Sequence, residues 1–433
     1  MTPVQVGIWG CVAMLVLLLC SMPVAVAMLV VGAVGFGAVG SWQGSLSMLS
    51  AELYDTFANY NLTVIPLFVF MGQVAFHAGI SGRLFAAANS WMSALRGGLA
   101  MATVGACAAF GAICGSGPAT AATMAAVALP EMKKYKYDHA LASGTVAAGG
   151  SLGMLIPPSV VFIVYGILTA QSIGKLFIAG ILPGVLMAVL FCVMIYVKCL
   201  LNPSLAPPAV RVPWGVRLKA LLGVIETLLL FAFVMGGMFA GWFTPTEAAA
   251  MGALGSVAIA ALGGNCSRKM LWQAAQETIR TSCMVLVIVA GATVFGRFLA
   301  VTEVPMLFAS WLAGLPLPPM CVIALIALFF LVAGCFVDAL ALILLTTPIF
   351  YPVVCELGFD PIWFGVVIVV VTQMGVITPP VGVNAYVVSG IDRSIPLQVV
   401  FRGAMPFLLA LVVVCALLML FPQIATWLPS VVK

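Results

Sequence analysis

Two interrupted apolar segments define the chemistry open to this chain. Gly115-Ser116-Gly117-Pro118 breaks the first, and Gly149-Gly150-Ser151 followed by Ile156-Pro157-Pro158 breaks the second. Proline has no amide hydrogen and collides with the preceding turn, while glycine loosens the backbone. In an apolar chain such breaks leave carbonyls and amides unpaired at membrane depth, where only protein or a water-filled cavity can receive them. Paired broken helices of this kind mark the binding sites of secondary transporters. Bond-making chemistry has far less support. The sequence holds no HExxH and no P-loop, and no Ser or Cys nucleophile has a plausible histidine partner. Its twelve cysteines are scattered without a CxxC pair, and its histidines are His77 and His139 alone, so metal-ligand spacing is absent.

The elements that must position these breaks are membrane spans. Of 433 residues, 64% are hydrophobic and 7% charged, at a mean hydropathy of +1.25; soluble domains carry roughly a quarter charged residues. The expected fold is therefore an all-α polytopic membrane protein, with length for about eleven spans. The net charge of +5 does not suggest nucleic-acid binding. The first fifty residues carry no charge and read as spans, not as a cleavable signal peptide. Gly7 to Gly40 predicts two short spans divided at Ser21-Met22-Pro23, Trp42 to Tyr60 an interfacial segment, and Thr63 to Phe76 a helix. A further helix is bracketed by Arg83 and Arg96, and Leu176 to Val197 is a span. Leu200 to Lys219, proline-rich and basic, reads as the cytoplasmic joint between two halves. Beyond it, Asn265 to Arg280 predicts a separate surface helix on the same basic side, and Arg297 with Glu303 an interfacial pair. Glu247, after Thr244-Pro245-Thr246, predicts a capped helix start.

The halves resemble each other. Pro157-Pro158 matches Pro379-Pro380 at a shift of 379 − 157 = 222, as do Pro130 with Pro352, Asp138 with Asp360 and Gly153 with Gly375. Gly180 and Pro183 match Gly403 and Pro406 at 223. The turn Glu131–Lys136 carries Lys133, Lys134 and Lys136, whereas Val353–Gly358 carries no basic residue. The positive-inside rule sets the first turn in the cytoplasm and leaves the second free to face outside. The sequence thus predicts an inverted repeat with two re-entrant helical hairpins and broken transmembrane helices, an arrangement that implies alternating access. The segments expected are 1–100 (N-terminal scaffold), 101–200 (first transport repeat), 201–319 (connection and second scaffold) and 320–433 (second transport repeat).

Specific motifs then point to a family. Asn61-Leu62 through Pro66-Leu67-Phe68 with Met71-Gly72, Pro130-Glu131-Met132 and Leu155-Ile156-Pro157-Pro158-Ser159 are three of them. Gly241-Trp242-Phe243-Thr244-Pro245-Thr246-Glu247-Ala248-Ala249 and Gln373-Met374-Gly375-Val376-Ile377-Thr378-Pro379-Pro380-Val381-Gly382 complete the set. Over nearly its whole length the chain resembles the large membrane subunit of the TRAP (tripartite ATP-independent periplasmic) transporters. That resemblance implies an elevator-type carrier in the bacterial inner membrane that imports a small organic acid on a sodium (Na+) gradient. It also implies a periplasmic substrate-binding protein and a small four-helix membrane subunit as partners. The small subunit is expected on a separate chain, since nothing before Gly7 or after Val432 could supply it.

Within that resemblance, unwound backbone can offer carbonyls to sodium without importing net charge. One sodium site is expected at Ser116, Gly153, Ile156 and Pro158, and its counterpart at Gly334, Asp338, Gly375, Thr378 and Val381. Ser116 and Asp338 lie 338 − 116 = 222 apart. Asp338 could bind sodium, accept a proton or hold the hairpin tip in shape. The substrate carboxylate is expected between the tips, at Thr120, Ser159 and Asn384. The alternatives are a stand-alone sodium–dicarboxylate symporter of the same hairpin architecture and, more remotely, a membrane-embedded enzyme.

Overall fold

The computed structural model describes residues 2–209, 212–314 and 316–431. The first half runs through α1 (Pro3–Leu19), α2 (Val24–Val39), α3 (Trp42–Ala58), α4 (Val64–His77) and α5 (Ile80–Met92). It continues through α6 (Gly98–Cys114), α7 (Gly117–Lys134), α8 (His139–Ser151), α9 (Val160–Leu168) and α10 (Ile173–Leu201). After the connection come α11 (Trp214–Leu222), α12 (Ile225–Phe239), α13 (Pro245–Leu262), α14 (Arg268–Thr302) and α15 (Val304–Ala313). The chain closes with α16 (Pro319–Gly334), α17 (Ala339–Glu356), α18 (Pro361–Gly375), α19 (Val383–Ile391), α20 (Leu397–Leu420) and α21 (Gln423–Val431). Among the described residues six helices are long and apolar enough to cross a membrane; a seventh is the pair α11–α12, bent by 53°. The protein is an all-helical, polytopic membrane protein.

Helix bounds recur at the shift of 222 well beyond the matching prolines. Moving α7 by 222 gives 339–356, the bounds of α17, and α1 and α8 start at 3 and 139 where α12 and α18 start at 225 and 361. Caps explain much of this. The Asp138 carboxylate accepts from Leu141 N at 2.8 Å, and that of Asp360 from Ile362 N at 2.7 Å, so both helices begin on the same device. Thr244 and Glu247 close a reciprocal capping box at 2.8 and 3.3 Å, as the sequence indicated.

Three expectations are corrected. Asn265–Arg280 is not a separate surface helix, because α14 runs unbroken from Arg268 to Thr302. Nothing between Arg268 and Ala290 is glycine or proline, so no residue stops it; in the first half, Asn59 accepts from Asn61 N at 2.9 Å and holds a 3-10 turn between α3 and α4. Arg297 does not pair with Glu303. Six residues turn them about 120° apart around the helix; Arg297 Nε donates to Glu52 of α3 at 2.5 Å instead, and Glu303 sits in a left-handed turn (φ 57°). Gly149-Gly150-Ser151 does not itself interrupt the helix but forms the last turn of α8, directly ahead of the 3-10 turn at Leu152–Met154. A methyl on Gly150 would fall 2.6 Å from Ala121 Cβ, so these glycines serve close packing.

The centre is built from α8 and α18, each buried almost end to end. α8 crosses α20 of the other half where Gly144 meets the Gly403 backbone. The hairpin turns are fastened to the opposite half. Lys133 pairs with Asp392 and donates to Ser394 Oγ at 2.6 Å, in the loop after α19. Tyr351 of α17 accepts from Gln171 Nε2 at 3.2 Å and donates to the Thr169 carbonyl at 3.3 Å, in the loop after α9.

Candidate solute and ion site

The first tip forms because α6 ends on Gly115 in the left-handed region (φ 66°), which glycine adopts without strain. Ser116 then N-caps α7 in extended conformation, and its carbonyl accepts from Thr120 N at 3.0 Å and Thr120 Oγ1 at 2.7 Å. Behind it, α8 tightens into a 3-10 turn at Leu152–Met154, passes Pro157-Pro158 and restarts as α9. Ser159 sets that restart: its hydroxyl donates to the Met154 carbonyl at 2.5 Å and accepts from Phe162 N at 3.4 Å. Val160 N donates to Gly115 O at 3.3 Å and ties tip to break. A methyl on Gly153 would lie 2.6 Å from Thr120 Oγ1 and 2.9 Å from the Ser116 carbonyl. One on Gly115 would lie 2.5 Å from the Pro158 carbonyl. Ser116, Thr120, Gly153 and Pro158 are therefore neighbours, whereas the Ile156 side chain turns away to pack on Gly184 of α10.

The second tip repeats the plan with other side chains. Asp338 N-caps α17, accepting from Leu340 N at 3.1 Å, so it stands where Ser116 stands in the first tip. Val381 N donates to Cys335 O at 3.1 Å, again tying tip to break. Thr378 Oγ1 donates to Met374 O at 2.6 Å and Thr378 N to Gly375 O at 3.1 Å. Gly334 and Gly375 touch: a methyl on Gly375 would lie 2.6 Å from Gly334 Cα. Asn384, fully buried, donates from its backbone to Val376 O and from its side chain to Ala147 O of α8, both at 3.0 Å. It bridges the second break to the first half. Among the described residues no cluster of three His, Cys, Asp or Glu could hold a transition metal.

Residues 11–424 match the family described as "Tripartite ATP-independent periplasmic transporter, DctM component". The chain belongs to this family. It is 37% identical over 394 residues to the C4-dicarboxylate TRAP transporter large permease protein DctM of Pseudomonas aeruginosa, a match covering 89% of this chain and 90% of that protein. It is 33% identical over 386 residues to the sialic acid TRAP transporter large permease protein SiaM of Vibrio cholerae, with the same coverage of each. The structure of the Alcanivorax borkumensis YdaH transporter superposes at a TM-score of 0.60 over 89% of both chains; at 16% identity this shows the fold alone.

In this TRAP permease the two tips share a plan but not an environment. The first is covered: Gly115, Gly117 and Pro158 are buried, and Cys114 rests on Gly72 of α4, where a methyl would lie 2.9 Å from Cys114 Cα. A small apolar cavity lined by Met71, Ile113, Pro158, Leu230 and Val234 separates this tip from α12 and α13. The second tip is open, with Phe336 61% exposed and Pro379 and Pro380 exposed. Gln373 is missing from the expected set. It is fully buried and neither amide atom has a hydrogen-bond partner among the described residues. The signal for it was a lone amide in the apolar run Val366–Met374.

Proposed function

We propose that the chain imports a small organic acid across the bacterial inner membrane by sodium-coupled, elevator-type transport. The observation that carries this reading is the reversed chain direction of two like tip-and-break units. From α8 through α9 the chain runs from the Lys133–Asp392 contact to the Gln171–Tyr351 contact. From α18 through α19 it runs between the same two contacts the other way, which supports an inverted repeat. The turn bearing Lys133, Lys134 and Lys136 then faces the cytoplasm.

In the mechanism, sodium binds Ser116 with backbone oxygens of Gly153, Ile156 and Pro158 in one half, and Gly334, Gly375, Thr378 and Val381 in the other. Asp338 holds its tip by capping α17. Thr120 and Ser159 already spend their hydroxyl hydrogens on backbone carbonyls, so toward a carboxylate they orient backbone amides more than they bind it. Ions order the tips, and the ordered tips complete the anion site, so ion and solute travel together. Segments 101–200 and 320–433 form the moving part; 1–100 and 201–319 form the scaffold. The covered first tip beside the open second tip supports a state caught on one side of the cycle, since exchange of the two environments gives the other side. A periplasmic binding protein delivers the acid, and a small four-helix subunit braces the scaffold.

The test is uptake into proteoliposomes holding the large and small subunits. Uptake should require both an inward sodium gradient and the purified binding protein. Uptake on a proton gradient with no sodium dependence rejects the coupling ion; equal uptake of free acid without the binding protein points to a stand-alone symporter.

A further inference from the structure

A cavity of about 160 Å³ lies in the elbow between α5 and α6, at the end of α6 opposite the first tip. Asn89 and Ser93 of α5 and Leu99 of α6 form one wall, Tyr135 and Tyr137 of the turn after α7 a second, and Pro207 of the connection a third. Backbone frames it. Gly97 bends the chain between the two helices in the left-handed region (φ 75°). Leu99 N donates to the Tyr137 hydroxyl at 3.2 Å and joins α6 to the turn. Asp138 N donates to Leu205 O at 3.0 Å and joins the turn to the connection.

The lining selects its occupant. An engineered cavity of about 150 Å³ holds benzene, so this volume admits one six-membered ring. Two tyrosine rings, Leu99 and Pro207 offer it flat apolar surface. No charged side chain is among the described lining residues, so a carboxylate or phosphate inside would lack a counter-charge. A purely apolar ring is also a poor match. Ser93 Oγ is buried with no partner among the described residues, the Tyr137 hydroxyl accepts from Leu99 and keeps its hydrogen to give, and Asn89 adds an amide. Such a lining rewards a group that both gives and takes one hydrogen bond. We infer that the elbow cavity binds an uncharged single-ring compound bearing a hydroxyl, the phenol class, and that its occupant holds the carrier still. The second clause rests on the carrier reading above: Tyr135 and Tyr137 belong to the moving segment 101–200, whereas Asn89, Ser93 and Pro207 belong to the scaffold segments. A bound ring touches both and stiffens the elbow between them.

The experiment uses the permease with its small subunit in lipid nanodiscs, titrated with phenol and with benzene by saturation-transfer NMR, with empty nanodiscs subtracted. Phenol should bind saturably and at least about fivefold more tightly than benzene. Ser93→Ala and Asn89→Leu should each weaken phenol about fivefold and leave benzene unchanged. Ser93→Ala removes an unpaired atom, so its ligand-free melting temperature should be equal or higher. Ala209→Trp, which places an indole at the cavity wall, should abolish binding of both and serves if another variant does not assemble. Absence of saturable binding, phenol no better than benzene, or phenol affinity indifferent to these substitutions overturns the site. In proteoliposomes, saturating phenol should lower sodium-driven uptake at least about tenfold, and Ser93→Ala should need about fivefold more phenol for the same effect. Inhibition unshifted in Ser93→Ala means that phenol acts on the bilayer, and uptake unaffected by bound phenol means that the elbow is not a brake; either overturns the second clause. If no sodium-driven uptake occurs at all, the carrier reading fails, while the nanodisc titration still decides the cavity.

Discussion

At the residue scale, the site is built more from what is missing than from what is present. Two backbones touch at Gly334 and Gly375, and two more at Gly111 and Gly153, where a methyl on Gly111 would lie 2.6 Å from Gly153 Cα. The backbones can approach there only because no side chain intervenes, and the proposed sodium sites draw on Gly153, Gly334 and Gly375. Gly375→Ala should therefore raise the sodium concentration for half-maximal uptake about tenfold and cost about 1–3 kcal/mol of stability, since backbone must shift to admit the methyl. Gly82→Ala, which meets no atom within 4 Å, should change neither. Sodium titration of uptake, with thermal unfolding alongside, reads both. Such positions were legible in the sequence because glycine and proline announce themselves. Gln373 was not, because an amide in an apolar run has no spacing rule, and only burial without a partner distinguishes it. Arg297 was misassigned for a related reason: its partner Glu52 lies 245 positions away, and local spacing cannot see it.

At the element scale, packing explains why like hairpins sit in unlike surroundings. The first tip rests on α4 through Gly72, and nothing larger fits between Gly72 and Cys114. Gly72→Val should prevent this docking. Uptake should fall at least about tenfold, and Cys114, now buried, should react about tenfold faster with a thiol reagent, followed by site-resolved mass spectrometry. Unchanged labelling would mean the contact is not a stopping point. A second element-scale contact is the clasp between α7 and the loop after α19. Its hydrogen bond from Lys133 holds the Asp392 carboxyl below the usual carboxylate range. A carboxylate depressed on folding stabilises above its unfolded pKa, near 4, and loses that contribution as pH falls through the lower folded value. Lys133→Gln should thus cost about 0.5 kcal/mol evenly between about pH 5 and 8, and progressively less below about pH 4. Melting curves of the two proteins across that range check it. Helix existence followed from apolar runs and caps, but joins did not. The sequence marks Asn59 to Thr63 as a break, whereas the matching stretch of α14 holds no glycine or proline and continues unbroken; the charges of Arg268, Lys269 and Arg280 pointed instead to a separate surface helix.

At the scale of the whole molecule, the shift of 222 holds from α1 through α20, although the matching prolines and aspartates cover only part of it. The rest was hidden because apolar spans conserve length and caps while their side chains interchange freely, and lipid-facing positions ask only for hydrophobicity. Two copies of one plan do not by themselves yield a carrier; they do so if one is upside down. The contacts at the two ends of α8–α9 and α18–α19 run the chain in opposite directions, and on the proposed reading the charges set Lys136 inside. Both arguments meet in a single measurement. A reporter that is active only in the cytoplasm, inserted after Lys136, should give signal, while the same reporter after Gly358 should stay silent. A reporter active only outside should give the converse. Should both turns report from one side, the two units would be parallel, the tips could not alternate between the faces of the membrane, and the elevator would have no second stop.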